Sequence, residues 1–274
     1  MKKIQIFFSL FAVTLLAAAC ASDNFTDKYA GGGGDPVDNP IGKLAHFKLD
    51  GTLENSEEES DCRLFLYGEE RYSENEGVDG SQALKLNGKT NYLAVPIGEH
   101  DTLSVVFWAR MADETFRALN AEPVWLDYGA GAVSFSLQQS GTLEIDGRSE
   151  ATKLKVTDTT GEELTTHLLP AGEYYYNICT WDNKVFFYAE ITGDYIKFRI
   201  KTKYADKSIK DEKLTIDKSQ SPIETKPEWL YIGKPSGMEV ATGKYLEGII
   251  DDIHIYNRGL TTEEVEVFAQ ISIE

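Results

Sequence analysis

Seven residues hold the tightest catalytic spacing in this chain: Glu144-Ile145-Asp146-Gly147-Arg148-Ser149-Glu150. Two carboxyls about 5–5.5 Å apart on one strand face can act as nucleophile and acid/base in glycoside hydrolysis. Strand side chains repeat every second residue, so Glu144 and Asp146 would share a face. Glu150 comes too late: Asp146-Gly147 is turn chemistry and breaks the strand. The chain has 45 acidic residues, so a near match by chance is expected. The stretch reads as an exposed hairpin. The four histidines, His46, His100, His167 and His254, show no metal-type His-x-x-x-His spacing, and no Gly-x-Ser-x-Gly elbow is present. His254, on a strand face, reads as a structural histidine. Gly31 to Gly34 is not followed by Lys-Ser/Thr and is no phosphate cradle.

Sugar binding needs aromatic faces beside polar acceptors. The candidates are Trp125 with Tyr128, Trp181 with Asp182 and Asn183, and Tyr72 with Asn75. Trp181 beside a turn is the best placed for exposure. Core or rim packing is the competing role for each, because 14 tyrosines leave no single ring distinctive. Trp108, inside the apolar run Thr102 to Arg110, reads as buried.

The elements that must position these residues are short strands. From Ile249 to Tyr256 the chain alternates, with Ile253 and Ile255 on one face with Asp251 and with Asp252, His254 and Tyr256 on the other. Asn257-Arg258-Gly259 is a turn. Thr261 and Glu264 have capping-box spacing, with Leu260 and Val265 at the staple positions, so a short closing helix begins there. Further strands are expected near 44–50, 83–87, 92–95, 102–110, 122–128, 132–138, 141–145, 174–181, 184–191, 195–201 and 229–233. Asn87-Gly88 is read as a hairpin turn, and Lys203 to Lys226 as a long charged hairpin or loop. No fixed-period repeat is visible. Many short strands with Gly, Asn and Asp turns argue for an all-β, two-sheet antiparallel sandwich with a short C-terminal helix.

The stretch Gly248-Ile249-Ile250-Asp251-Asp252-Ile253-His254-Ile255-Tyr256-Asn257-Arg258-Gly259-Leu260-Thr261-Thr262-Glu263-Glu264 resembles the C-terminal signature of the laminin-G-like, concanavalin A-like jelly-roll family. Phe47-Lys48-Leu49-Asp50-Gly51-Thr52-Leu53 resembles the family's first strand. Ala83-Leu84-Lys85-Leu86-Asn87-Gly88 and Leu230-Tyr231-Ile232-Gly233 resemble two others. Phe187-Tyr188-Ala189-Glu190 departs from the family's usual hairpin. The resemblance implies a jelly roll over residues 41–274 whose first and last strands lie close together. It implies non-catalytic carbohydrate binding, with a protein-binding or adhesion module as the alternative and a glycosidase relative as a third. It also implies a structural Ca²⁺ held by Asp50 and by Asp251 or Asp252. Asp251 accepting only backbone N–H groups is the competing role.

Residues 1–19 read as a secretory signal. Met1-Lys2-Lys3 is basic, Ile4 to Leu16 is apolar but too short to span, and small residues follow. Ala17-Ala18-Ala19-Cys20 resembles a bacterial lipobox, with Ala17 where Leu is usual. That implies lipidation of Cys20 and export to the outer membrane and cell surface. Residues 20–40 lack apolar periodicity and read as a tether, with a reach of roughly 25 Å. The start Ala21-Ser22-Asp23-Asn24 resembles that of Bacteroidetes-type surface lipoproteins. The net charge of −18 over 274 residues repels phosphate backbones and argues against nucleic acid. The expected partners are a glycan or a neighbouring surface protein, with membrane contact only through the lipid. Cys62 and Cys179 could pair or remain free thiols.

Overall fold

Alternating apolar residues can bury one sheet face only against a second sheet, and two sheets are what the chain builds. The computed structural model describes residues 41–57, 60–111, 124–128, 133–139, 152–158, 163–168, 184–203, 209–218, 223, 226–234 and 245–270. All belong to one unit, Asn39–Glu274. In chain order the strands are β1 (Lys43–Phe47), β2 (Phe65–Tyr67), β3 (Tyr72–Ser73), β4 (Ala83–Asn87) and β5 (Tyr92–Pro96). Next come β6 (Thr102–Met111), β7 (Val124–Tyr128), β8 (Val133–Gln139), β9 (Thr152–Asp158) and β10 (Glu163–Leu168). The last are β11 (Val185–Thr192), β12 (Tyr195–Lys203), β13 (Ile209–Asp217), β14 (Trp229–Ile232) and β15 (Glu247–Tyr256), before helix α1 (Thr262–Gln270). The eight-stranded sheet runs β13-β12-β11-β6-β15-β4-β3, with β1 also on β15. The seven-stranded sheet runs β10-β9-β8-β7-β14-β5-β2. Every described pairing is antiparallel, the two-sheet sandwich expected.

Inward-facing residues of both sheets make one core. Leu103, Val105, Phe107 and Ala109 of β6 alternate into it, as do Leu93 and Val95 of β5 and Leu230 and Ile232 of β14. Phe135 of β8 meets Phe187 and Phe198 of the facing sheet edge-on, at 5.5 and 6.0 Å between centroids. The first and last strands pair directly, His46 opposite His254. Trp108 is buried, though on the outer side of its sheet against Phe186.

Asn87-Gly88 is not a hairpin turn. β4 and β5 lie in different sheets, so the turn is a corner carrying the chain across the sandwich. Asn87 Oδ1 accepts the backbone N–H groups of Lys89, Thr90 and Asn91. Those bonds hold the corner that cross-strand pairing would hold in a hairpin. The charged 203–226 stretch contains β13, paired along its length with β12. β9 and β10 are not among the strands expected from the sequence, although Leu154 and Val156 of β9 alternate with Lys153, Lys155 and Thr157. Residues 141–145 and 174–181 lie outside the described residues.

The helix start forms as its spacing predicts. Glu264 Oε2 accepts Thr261 N–H at 2.8 Å, and Glu264 N–H donates to Thr261 Oγ1 at 3.2 Å. Arg258 forks onto the same carboxylate at 2.7 and 2.8 Å. Glu266 then ties α1 to the eight-stranded sheet through Arg199 and Lys213. Thr261→Ala should cost about 1 kcal/mol, lowering Tm by roughly 2–4 °C. An unchanged melt would mean that Arg258 and Glu264 hold the helix start without the cap.

Candidate functional site: an outward aromatic face

Two strands of the seven-stranded sheet read aromatic-Leu-aromatic: Phe65-Leu66-Tyr67 and Trp229-Leu230-Tyr231. The leucines point to the core. The rings therefore point the other way, to the outer face, since side chains alternate along a strand. Register places Tyr67 opposite Tyr92, and Phe65 and Tyr231 on either side of Ala94. Trp229 lies opposite Pro96, and Asp127 lies opposite Tyr231 and Ser134.

The rings form a continuous patch. Tyr67 stacks on Tyr92 at 4.5 Å and 5°. Tyr231 and Tyr245 each tilt onto Tyr92 at 6.4 Å, and Phe65 approaches Trp229 at 6.0 Å. Phe65 is 43 % exposed and Tyr67 47 %, so this edge of the patch meets solvent. Lys234 sits 4.4 Å above the Tyr92 ring. Partial burial and the neighbouring phenols push the Tyr92 hydroxyl up. Burial lowers the Lys234 ammonium, partly offset by Asp127. The arrangement offers flat apolar faces and phenolic hydroxyls, with the Asp127 carboxylate and the Lys234 ammonium buried among them.

The sugar-binding residues expected from the sequence are distributed differently. Tyr128 is 3 % exposed and belongs to the core, with burial pushing its hydroxyl up to about 12. It alternates inward because Asp127 takes the outer position, so it has no free face for a sugar. Trp125 lies on β7 of this same sheet, its side chain outside the described residues. Trp181, Asn183, Glu144, Asp146, Glu150, Cys179 and Cys20 also lie outside them, as do the 1–19 signal and 20–40 tether. Tyr72 lies in β3 with its hydroxyl on Glu70. The aromatic face is not among the sites expected from the sequence, because its rings come together only when β2, β5 and β14 pair. Its signal was the pair of aromatic-Leu-aromatic strands.

The acidic residues separate. β15 pairs with β4 through Ile250 and with β1 from Ile253, and its register to β6 shifts between Asp251 and His254. Asp252 takes φ +52, the left-handed conformation of a bulge. The bulge breaks the expected alternation. Ile250, Ile253 and Ile255 face the core, while Asp251 lies outside beside Ile249 and Trp108. Asp251 Oδ2 accepts Val78 N–H at 2.6 Å, and Oδ1 is buried with no hydrogen-bond partner. Burial, with Asp252 and Asp50 nearby, pushes this carboxyl up to about 8. Asp50 accepts Gln82 N–H at 3.0 Å on the same loop. Asp252 instead turns its carboxylate to His46 and His254.

Calcium takes oxygen ligands. Asp251 Oδ2, Ser81 Oγ and the Gln82 carbonyl crowd Gly77, and the buried Asp251 Oδ1 is the further oxygen a hard cation could take. Asp50 joins the same loop. Asp252 does not fit, being committed to imidazoles. Lys184 already donates to the Gly77 carbonyl and lines the same water-sized space, so one positive charge stands beside Asp251.

No protein-family model matches the sequence, and no curated protein matches it. Solved structures match in fold. The binding domain of botulinum neurotoxin serotype D aligns at TM-score 0.54 and 11 % identity, over 84 % of this chain and 51 % of that one. The binding domain of botulinum neurotoxin DC, in complex with rat synaptotagmin II, aligns at 0.53 and 11 %, over 85 % and 52 %. Botulinum neurotoxin type C aligns at 0.52 and 11 %, over 85 % and 52 %. This chain thus spans about half the length of the chains it matches. At such identities the likeness is one of fold, a β-sandwich found in binding domains.

Proposed function

We propose that this domain is a non-catalytic, lectin-like module that binds carbohydrate through the outer aromatic face of its seven-stranded sheet. The observation that carries the reading is the Tyr67–Tyr92 stack, continued by Tyr231 and Tyr245 and flanked by Phe65 and Trp229. Sugar C–H faces lie on such rings while sugar hydroxyls bond to the phenolic oxygen of the half-exposed Tyr67. The chain's net charge of −18 favours neutral glycans over anionic ones. Botulinum neurotoxin type C, of whose solved chain the match covers 52 %, depends for cell entry on interaction with two ganglioside molecules, which supports the same class of ligand. The laminin-G-like resemblance supports the same class. Anchoring through Cys20 to the outer membrane, with the domain held off the surface by the tether, completes the proposal. It rests on the sequence of residues 1–40. A structural Ca²⁺ on Asp251 and Asp50 would brace the loop before β4.

Binding of a neighbouring protein is the second reading. It is favoured by the half-exposed Phe65 on the edge strand β2 and by the neurotoxin DC domain's complex with synaptotagmin II. A glycan array with the purified protein separates the two. Reproducible hits should weaken roughly tenfold in Tyr67→Ala, a loss of about 1–2 kcal/mol of stacking and burial. A blank array from folded protein would sink the carbohydrate reading. Cleavage of a glycan that is lost in Glu144→Gln would overturn the non-catalytic one.

A further inference from the structure

We propose that His46, Asp252 and His254 bind a divalent transition metal of the zinc class on the outer side of the eight-stranded sheet. The site lies on the sheet opposite the aromatic face and is independent of any glycan. Asp252 Oδ1 stands 2.8 Å from His46 Nε2 and 3.1 Å from His254 Nε2. The three donor atoms all lie within 4.8 Å of one another. Among the described residues no other group of three such donors converges in this way. Zinc bonds of about 2.0–2.1 Å in a tetrahedron place neighbouring donors roughly 3.3 Å apart. The two carboxylate–imidazole pairs therefore need to lengthen by only a few tenths of an ångström around an ion, while the imidazoles themselves must turn.

The backbone builds this cluster from two ends of the chain. His46 and His254 are direct cross-strand partners, with rings stacked at 3.9 Å and 17°. Asp252 reaches them only because the β15 bulge turns it to φ +52. A non-glycine residue held there is strained, and such strain gathers at functional positions. Phe268 of α1 packs on His254 at 4.7 Å and walls the cluster off on that side. Asn55 Oδ1 and Ser56 hold the His46 backbone from the following loop. The histidine side chains are 3 % and 0 % exposed but the Asp252 side chain 16 %, so the carboxylate side is the way in.

The donor set decides the class of ion. Two imidazole nitrogens and one carboxylate suit zinc, nickel or copper, whereas calcium wants six to eight oxygens. Coordination requires the two stacked rings to splay so that both Nε2 lone pairs reach one ion. The ion takes the place of the hydrogen bond between His46 and Asp252. Three protein ligands leave the fourth position to water at the exposed side.

The test is a zinc titration of chelator-stripped protein by calorimetry, with visible absorption of the cobalt form as an independent readout. The wild type should saturate at one ion per chain and melt roughly 5–10 °C higher at a hundredfold excess over Kd. Cobalt should give the intense d–d bands of a tetrahedral N,N,O site, with calcium unable to displace it. Asp252→Asn keeps the left-handed backbone, which Asn tolerates, and should weaken zinc binding roughly 10–100-fold. It also lowers the melt in chelator, because the carboxylate is held by two buried imidazoles, so binding is read on the folded variant below its melt. His46→Gln should do the same and replaces Asp252→Asn if that variant fails to fold. Absence of saturable zinc binding in the wild type overturns the proposal. So does zinc binding that survives both substitutions, since it must then use other groups.

Discussion

Raising the pH from about 4 to about 8 should destabilise the wild-type protein relative to Asp251→Asn. The unfolded Asp251 carboxyl ionises near 3.9, the folded one near 8 because of its burial beside Asp252 and Asp50. Below both values each state is protonated and the residue contributes its full stability. Between them unfolding releases a proton, so that contribution falls as pH rises, by about 1.4 kcal/mol per unit at its steepest. Above 8 the loss is complete and amounts to up to about 6 kcal/mol. Asn mimics the protonated acid and does not titrate, so the difference between the two denaturant midpoints isolates this one group. A difference that stays flat with pH would show that the carboxyl is ionised throughout. Calcium makes the experiment sharper. Saturating Ca²⁺ should restore wild-type stability at pH 8 and do nothing at pH 5, where the proton occupies the carboxyl. It should do nothing for Asp251→Asn at either pH.

Gly77→Ala should be the most damaging single methyl group in the domain. Gly77 has an ordinary backbone conformation, φ −72 and ψ −175, so its glycine is needed for space and not for φ. A Cβ there would drive into the Gln82 carbonyl, Ser81 Oγ and Asp251 Oδ2. The carbonyl is backbone, and Gly77 N–H also bonds the Ser81 carbonyl at 2.8 Å, so the loop cannot simply shift. Overpacking of this kind costs about 1–3 kcal/mol. Displacing Asp251 from Val78 N–H forfeits a hydrogen bond of the protonated acid worth about 0.5–1.5 kcal/mol more. A loss of about 2–4 kcal/mol is expected from urea unfolding near neutral pH, together with loss of any calcium response. Gly80→Ala is the control: it has open space around it but φ +77, so it should cost only about 1 kcal/mol of backbone strain. Equal losses at the two glycines would refute the steric argument.

Much of the fold was legible because local rules carried it. The Thr261–Glu264 spacing predicts its own cap, since both bonds lie within four residues. β14 announces itself by alternation, because it has one dry face, whereas β6 and β15 show as apolar runs buried on both faces. The Asn87-Gly88 turn misled for an instructive reason: a corner between sheets and a hairpin use the same left-handed residue. Only the identity of the next strand's neighbour separates them, and that is a long-range fact. Tyr128 misled in the same way, its direction set by one step of alternation past Asp127.

The sequence alone determined the class of architecture, the position of the closing helix and the presence of aromatic residues on strands, because periods of two and caps are read locally. Tertiary structure alone decided which rings form one surface and which acids act together. Phe65, Tyr92 and Trp229 become neighbours only when β2, β5 and β14 lie side by side. His46 meets Asp252 across 206 positions. Asp251 parts from Ile253 because a single bulge reverses the alternation. A strand's period says that its faces differ, but which face meets the core and which meets a ligand depends on register, and register is a property of pairs of strands.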